Sequence, residues 1–307
     1  MRILLTGSTG QVGNALLSTL QRLDHSEIIA PQRAQMDLSN PDQVRQLIQD
    51  IKPDLIINPA AYTAVDKAET EADLAQTINS DIPGIMAEEV KKLGAALIHY
   101  STDYVFDGSK HSEDGSLIAY AEEDQTAPIN VYGKTKLAGE QAIIASNCNH
   151  LILRTSWVYS TFGKNFLLTM LRLANEREEL KIVNDQWGAP TWAGWIAQAT
   201  TDIVSQWQTA SMSQDWWKEY GGTYNFTSGG TTNWCGFAQE IMRQADAKRL
   251  LKKNAPVVLG IPSTDYPTPA KRPVNSILSS DKLRDKLGIQ PPAWQDALAA
   301  CLEPVNN

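Results

Sequence analysis

A tyrosine and a lysine four residues apart could together move a proton. Tyr132 and Lys136 fall in a segment whose pattern predicts a helix over Tyr132–Ala145, and residues four apart on a helix share one face. A lysine charge about 4 Å from a phenol is worth roughly 4 kcal/mol at the effective dielectric of a partly exposed site. That is the order of free energy needed to bring a phenol pKa from about 10 to near 7. Tyr132 is therefore predicted as a proton donor to a reacting oxygen, with Lys136 lowering its pKa.

A hydroxyl expected at the end of a strand could hold the reacting oxygen. Ala95–Ser101 is predicted as a strand, and Thr102 and Asp103 follow it directly. In an open parallel sheet, ligands bind outside the carboxyl ends of the strands. Thr102 is therefore predicted to hydrogen-bond the substrate. The alternative is that its hydroxyl only caps the turn that follows the strand.

Three glycines spaced Gly-x-x-Gly-x-x-Gly form a turn that could bind a pyrophosphate. They follow the apolar strand Ile3–Leu5 and open a predicted helix. Glycine lets the backbone approach a phosphate closely, and the helix N-terminus presents unpaired N–H groups. The turn predicts a dinucleotide site, with a plain strand–helix corner as the alternative. The predicted contacts are Gly7, Thr9, Gly10, Gln11, Val12 and Gly13.

The rest of the cofactor site is predicted at the ends of later strands. No acidic residue ends the strand Glu27–Ala30, so Arg33 could meet a 2′-phosphate, or it could be a solvated surface residue. NADPH and NADH both remain open as the cofactor. Small residues after Asn58 leave room for a ribose and phosphates. The predicted contacts are Arg33, Asp37, Leu38, Ala60, Ala61, Tyr62, Thr63 and Tyr100, with Tyr132 and Lys136 at the reacting end.

Strands and helices alternate along the first half of the chain, and the strands are continuous apolar runs. This pattern is typical of a parallel sheet covered on both faces. We expect an α/β fold of the Rossmann type, a doubly wound parallel sheet with a smaller C-terminal substrate-binding α/β lobe. Residues 1–160 would form the dinucleotide-binding domain. Residues 161–307 would form mainly the substrate lobe, with some segments returning to the first domain.

Composition limits the partners. The net charge of −8 argues against a nucleic-acid surface, and no apolar run reaches membrane-spanning length. The three cysteines are isolated, which fits a reduced, cytoplasmic setting. No signal segment is expected at the start of the chain.

Several segments together resemble the dTDP-4-dehydrorhamnose reductase family over nearly the whole chain. They are Thr6–Gly13, Ser101–Gly108, Val131–Glu140, Arg154–Tyr159, Gly188–Thr191 and Arg272-Pro273. The resemblance implies reduction of the 4-keto group of dTDP-4-dehydro-L-rhamnose, with Thr102, Tyr132 and Lys136 as the catalytic triad. It also implies an extended short-chain dehydrogenase fold.

The resemblance further implies a substrate site. Asp103 and Trp157 would lie near the sugar, because an indole face can pack on a deoxysugar, although Trp157 could also be core filler. Val65 and Tyr104 are further candidates for the substrate wall. Arg272 could bind the diphosphate, and a structural ion pair explains it nearly as well.

One departure from the family concerns a metal. Some relatives bind magnesium between subunits through carboxylates, but Ala15 and Gly194 stand at two of those places here. An isolated acid such as Asp296 cannot supply the several oxygens that magnesium needs. We therefore expect no metal and no metal-bridged dimer.

Two other functions stay open at this point. A sugar-nucleotide epimerase, dehydratase or epimerase-reductase shares the fold and the Tyr–Lys pair, but it needs extra acid and base groups that are not obvious here. A regulatory subunit like the beta subunit of methionine adenosyltransferase would not need a proton donor.

Overall fold

Six parallel strands form the central sheet of the protein, whose computed structural model describes residues 1–303. In chain order the strands are β1 (Arg2–Leu5), β2 (Glu27–Ile29), β3 (Leu55–Asn58), β4 (Ala96–Thr102), β5 (Asn149–Thr155), β6 (Val158–Tyr159), β7 (Glu179–Val183), β8 (Trp187–Gly188), β9 (Thr191–Trp192), β10 (Gly222–Asn225), β11 (Thr232–Asn233) and β12 (Val257–Ile261). The order across the central sheet is β2-β1-β3-β4-β5-β10.

Helices cover both faces of this sheet. They are α1 (Gln11–Leu20), α2 (Pro41–Ile51), α3 (Val65–Ala68), α4 (Ala72–Gln76), α5 (Ile82–Leu93), α6 (Val131–Ser146), α7 (Phe166–Glu176), α8 (Ala193–Thr209), α9 (Gln214–Tyr220), α10 (Trp234–Ala247), α11 (Asp281–Leu287) and α12 (Trp294–Cys301). Successive strand side chains point to opposite faces: Ile3 and Leu5 pack with α1 and α8, whereas Leu4 packs with α2 and α5. The expected doubly wound parallel sheet is confirmed.

The sheet has a topological switch point between β1 and β3. From β1 the chain passes to β2 on one side and then crosses to β3 on the other side. The segments that leave β1 and β3 therefore diverge and leave a crevice at the carboxyl ends of the strands.

A wide turn divides the helix that the sequence predicts over Asp73–Leu93. Thr77–Asp81 forms a π-helical turn between α4 and α5. Pro83 has no N–H to donate to the carbonyl of Asn79, four residues earlier, so regular α-helical bonding fails there. The side chain of Asn79, within this turn, donates to the Thr135 hydroxyl on α6 at 3.1 Å.

The second half of the chain contributes to the central sheet as well as to smaller sheets. The sequence pattern predicts a strand over Tyr224–Thr227, and the structure forms it two residues earlier, as β10, which pairs with β5. The sequence did not predict α8, which packs on α1 through the same apolar cluster. β7 pairs with β12, and α7, α10 and α12 share a third apolar cluster.

None of the helices formed within residues 1–303 combines the length and the apolar character needed to cross a bilayer.

Candidate active site

The glycine turn between β1 and α1 requires glycine for steric reasons. Gly7 has a φ of 57°, and a Cβ there would lie 3.0 Å from the Cα of Ala60, which follows β3. A Cβ on Gly13 would lie 2.0 Å from the carbonyl oxygen of Gly7. Gly10 caps α1 without a side-chain hydrogen bond. The turn therefore keeps its first helical N–H groups available to an anion.

A cavity of about 560 Å³ opens over this turn at the switch point. Its walls come from the segments after β1, β2 and β3 and from the end of β4. The predicted cofactor residues that line it are Gly7, Thr9, Gly10, Gln11, Val12, Gly13, Arg33, Asp37, Leu38, Ala60, Ala61, Thr63, Tyr100, Tyr132 and Lys136. A cavity of this volume with a backbone cradle at its base fits a dinucleotide.

Tyr62 differs from the other predicted cofactor residues because it is absent from the cavity wall. Its hydroxyl donates to Glu71 at 2.5 Å. Its backbone N–H donates to Asn79 at 2.8 Å, and the Asn79 amide donates back to its carbonyl. The side chain is therefore directed to the surface, and Tyr62 supports the wall through its backbone.

At the end of the cavity beside β2, the exposed guanidinium group of Arg33 lies near the carboxylate of Asp37. The Arg33 side chain is 84% exposed, and its Nε lies 4.0 Å from Asp37 Oδ1. Hydrogen bonds from the backbone and hydroxyl of Ser39 lower the pKa of Asp37, with a further contribution from Arg33. Arg33 thus keeps most of its surface available to a ligand.

The first turn of α6 positions Tyr132 beside the end of β4. The Asn130 side chain caps this turn by accepting from Gly133 N–H at 2.8 Å. A Cβ on Gly133 would lie 2.2 Å from the Tyr104 carbonyl oxygen, so glycine allows the helix to approach the turn after Thr102. The ring of Tyr132 meets that of Tyr104 edge to face, with centroids 5.8 Å apart.

Burial raises the pKa of Tyr132 above its usual value, and a hydrogen bond with Thr102 acts in the opposite direction. The expected lowering of the phenol pKa by Lys136 is therefore not found. Lys136 Nζ donates to the Tyr100 carbonyl at 2.6 Å and lies 3.1 Å from His99 Nε2. Burial lowers the pKa of Lys136 to about 8, and Glu140 opposes this. At neutral pH Tyr132 holds its proton, as a donor must.

Thr102 and Asp103 are consecutive in the chain, and their side chains form a hydrogen bond. Thr102 Oγ1 donates to Asp103 Oδ1 at 2.9 Å and also accepts from Tyr104 N–H at 3.2 Å, so it caps the following turn. Burial raises the pKa of Asp103 to about 6, while Ser276 and Thr102 lower it. A second acid with a pKa near neutrality thus lies next to the predicted proton donor.

Trp157 is held in an uncommon backbone conformation. Its φ is 46°, and its ring stacks on Trp234 with centroids 3.7 Å apart. A Cβ on Gly188 would approach this ring to 2.9 Å. The indole is therefore fixed between Gly188 and Trp234, and it stays partly exposed.

Arg272 forms an ion pair across the chain. Its guanidinium donates two hydrogen bonds to Asp66, at 2.9 and 3.0 Å, and these bonds lower the pKa of that carboxyl. Asp66 lies in α3 directly after Val65, which is partly buried. The structural ion pair considered from the sequence is thus present, and it connects α3 to the segment before residue 273.

Other cavity residues were missed by the sequence analysis. They are Thr6, Ser8, Pro31, Gln32, Met36, Pro59, Ile78, Ser101, Thr155, Val158, Gly163 and Lys164. Gly163 and Lys164 reach the glycine turn because Gln11 bonds to the Val158 carbonyl and to Asn165. Such contacts between distant segments give no local sequence pattern. Ser8, Pro31, Gln32 and Pro59 adjoin predicted contacts and could have been included on that basis.

The parallel sheet, the glycine turn at its switch point and the tyrosine and lysine on α6 define a reductase of the extended short-chain dehydrogenase class. The family model for the RmlD substrate binding domain matches residues 1–307. The chain belongs to the dTDP-4-dehydrorhamnose reductase family.

Relatives and solved structures give the extent of the similarity. The dTDP-4-dehydrorhamnose reductase of Burkholderia thailandensis is 42% identical over 306 residues, covering 98% of each chain. The crystal structure of the Clostridium acetobutylicum enzyme matches with a TM-score of 0.85 at 33% identity, covering 98% of each chain. The Bacillus anthracis enzyme, solved in complex with NADP, matches with a TM-score of 0.83 at 34% identity and the same coverage.

Proposed function

We propose that this protein reduces the 4-keto group of dTDP-4-dehydro-L-rhamnose to give dTDP-L-rhamnose, with NADPH or NADH as the reductant. The observation that carries the proposal is the intact set of Thr102, Tyr132 and Lys136 beside the dinucleotide cavity, in a chain of this family. A regulatory subunit has no need of a proton donor, and the extra acid–base pair of an epimerase was not found in the sequence.

The chain's own residues handle the substrate oxygen and its proton. When bound, the nicotinamide cofactor supplies the hydride. When the substrate binds, the Thr102 hydroxyl turns its one proton from Asp103 Oδ1 to the keto oxygen and orients that oxygen. Tyr132 gives its proton to that oxygen as negative charge develops, and Lys136 then donates a proton to the phenolate that remains. The cofactor is held by the glycine turn and by the predicted residues that line the cavity.

The substrate contacts are proposed from the position of each residue. Trp157 offers its partly exposed indole face to the apolar side of the deoxysugar. Tyr104 and Val65 form further wall, and Asp103 accepts a hydrogen bond from a sugar hydroxyl. Arg272, held by Asp66, directs positive charge to the diphosphate.

The division of labour along the chain is also a proposal. Residues 1–160 would form the dinucleotide-binding domain, whose Val65, Thr102, Asp103, Tyr104 and Trp157 also reach the substrate. Residues 161–307 would form mainly the substrate lobe, which contributes Arg272. The expectation that some later segments return to the first domain is supported by β10 and α8. Both lie after residue 160, and both pack against the first part of the chain. A cytoplasmic location, with no nucleic acid or membrane as partner, completes the proposal.

Removing Arg33 should change the cofactor preference. The Arg33→Ala variant is expected to lower kcat/KM for NADPH by about tenfold, the scale of one charged hydrogen bond, and to leave the value for NADH unchanged. Arg177→Ala, at an exposed arginine after α7, is the control. If the NADPH to NADH ratio is the same in Arg33→Ala and wild type, Arg33 is only a surface charge.

Magnesium should have no effect on turnover or assembly. Ala15 and Gly194 provide no oxygen ligands at two of the places where some relatives hold magnesium between subunits. Turnover and sedimentation are measured after EDTA treatment and again after magnesium is added. A several-fold rate increase or a shift from monomer to dimer on addition would contradict this.

The proposed activity is tested by NADPH oxidation with freshly generated dTDP-4-dehydrorhamnose and purified protein. Turnover is expected with this substrate. Absence of NADPH oxidation by folded protein that binds NADPH would favour the regulatory function.

A further inference from the structure

A buried chain of hydrogen bonds runs from the glycine turn to Lys136. Thr6 Oγ1 donates to Asn58 Oδ1 at 2.6 Å, and Asn58 Nδ2 lies 3.1 Å from His99 Nδ1. His99 Nε2 then lies 3.1 Å from Lys136 Nζ. All four residues are at most 2% exposed. The mechanism above does not use His99.

The direction of these bonds fixes the position of the histidine proton. Thr6 Oγ1 accepts the Ala60 N–H at 3.4 Å and donates its own proton to Asn58 Oδ1 at 2.6 Å, an oxygen that can only accept. The Asn58 amide nitrogen must then face His99 and donate to Nδ1. Burial, and next the charge of Lys136, hold the pKa of His99 well below its usual value, so the ring is neutral. A neutral ring that accepts at Nδ1 carries its proton on Nε2.

That Nε2–H group points at Lys136. An ammonium group has three donors and no acceptor, so a charged Lys136 would put two donors against each other. A neutral amine has a lone pair that can accept from Nε2–H while it still donates to the Tyr100 carbonyl. The contact is therefore complete only when Lys136 is neutral.

Within residues 1–303, few other charged or titratable groups surround His99 and Lys136. Glu140 lies one turn along α6 and favours a charged Lys136, but it is bound to Arg154 of β5, with the shortest contact at 2.7 Å. The Tyr100 hydroxyl is engaged with Thr200 at 2.6 Å. Tyr132 and Asp103 lie beyond, at the end of β4. His99 is the group that meets Lys136 Nζ itself.

We propose that His99 is a positioning residue that holds Lys136 Nζ at the Tyr100 carbonyl and favours its neutral form. The inference rests on the proposed function. When Tyr132 has given its proton to the substrate, an N–H bond of Lys136 breaks and the O–H bond of Tyr132 forms again. The neutral Lys136 left by this transfer fits the His99 N–H group, and solvent then returns a proton to it through the cavity that it lines. His99 thus makes Lys136 a stronger acid.

The histidine proton can be observed directly in the full-length protein with NADPH bound. Long-range ¹H–¹⁵N spectra of protein labelled at the histidine rings distinguish the two tautomers, and the His99→Gln variant identifies the His99 signals among the four histidines. The expected result is a neutral Nε2–H ring from pH 6 to 9. A proton on Nδ1, or a ring that becomes charged in this range, would overturn the inference whether or not the protein is a reductase.

The Asn58→Asp variant reverses the chain of bonds. A carboxylate accepts and does not donate, so the His99 proton should move to Nδ1, and Nε2 should accept from a charged Lys136. The Lys136 titration, followed by ¹³C spectra of labelled lysine, should move to higher pH by about one pH unit. The alkaline fall in kcat should move with it, because the charged form is lost as pH rises through the Lys136 pKa.

His150→Gln is the matched control, because His150 is a partly buried histidine on the neighbouring strand that bonds to the Cys148 carbonyl. Its Lys136 titration and kcat profile should equal those of wild type. An unchanged Lys136 titration in folded Asn58→Asp protein would contradict the role of His99. If that variant does not fold, the tautomer of the wild-type ring still decides the question. If the wild type shows no turnover, only the proposed function fails. The role of His99 is then still tested by comparing the Lys136 titration in wild type and in Asn58→Asp.

Discussion

Tyr132→Phe is expected to lower kcat by about 100- to 10,000-fold, the usual contribution of a general acid, and to leave the Kd of NADPH nearly unchanged. The hydroxyl is the group that gives its proton to the keto oxygen. The Phe ring would keep the edge-to-face packing on Tyr104, so the shape of the site should be preserved. Steady-state turnover and fluorescence titration of NADPH separate the two effects.

The Tyr220→Phe variant is the control, since it removes a hydroxyl from α9, outside the cavity. It should keep wild-type turnover. A Tyr132→Phe protein that retains more than half of the wild-type kcat would rule out the proton-donor role.

Gly13→Ala is expected to weaken NADPH binding by about tenfold, the scale of one displaced backbone hydrogen bond to a charged phosphate. The new Cβ would lie 2.0 Å from the Gly7 carbonyl oxygen and 2.9 Å from the Ser8 amide nitrogen. Both are backbone atoms, so a change of rotamer cannot relieve the contact, and the turn itself must move. Calorimetric titration with NADPH measures the loss.

Gly84→Ala provides a matched control in a helix. Its Cβ would meet only the Ala142 methyl group, at 3.2 Å, away from the cavity. This variant should bind NADPH as wild type does, and thermal unfolding checks that both proteins are folded. Wild-type affinity in Gly13→Ala would show that the turn does not have to keep its geometry to hold the cofactor.

The parts of the site that the sequence could predict depend on local geometry. The spacing of Gly7, Gly10 and Gly13 predicts a tight turn because Gly13 approaches the Gly7 carbonyl within the turn itself, whereas the approach of Gly7 to Ala60 could not be predicted locally. Tyr132 and Lys136 share a helix face because of their spacing alone. The direction of Lys136 Nζ depends on the Tyr100 carbonyl and on His99, both on another strand. This is why the sequence wrongly suggested that Lys136 lowers the Tyr132 pKa.

Elements stabilised by distant contacts were harder to predict. α8 buries polar Thr200 and Thr201, whose hydroxyls donate to carbonyls four residues earlier, so its sequence shows no clean apolar stripe. Trp234 stacks on Trp157 from 77 residues away, and Arg272 pairs with Asp66 across 206 residues. Pairings of this kind follow from the tertiary fold and leave no pattern in either segment.

The most direct test of the proposed activity follows the hydride. NADPH with deuterium at the transferred position of nicotinamide C4 is mixed with dTDP-4-dehydrorhamnose and the protein, and the product is examined by NMR and mass spectrometry. The expected product is dTDP-L-rhamnose with deuterium on sugar C4, with one NADPH consumed for each sugar reduced. A product without deuterium, or with deuterium on another carbon, would contradict it.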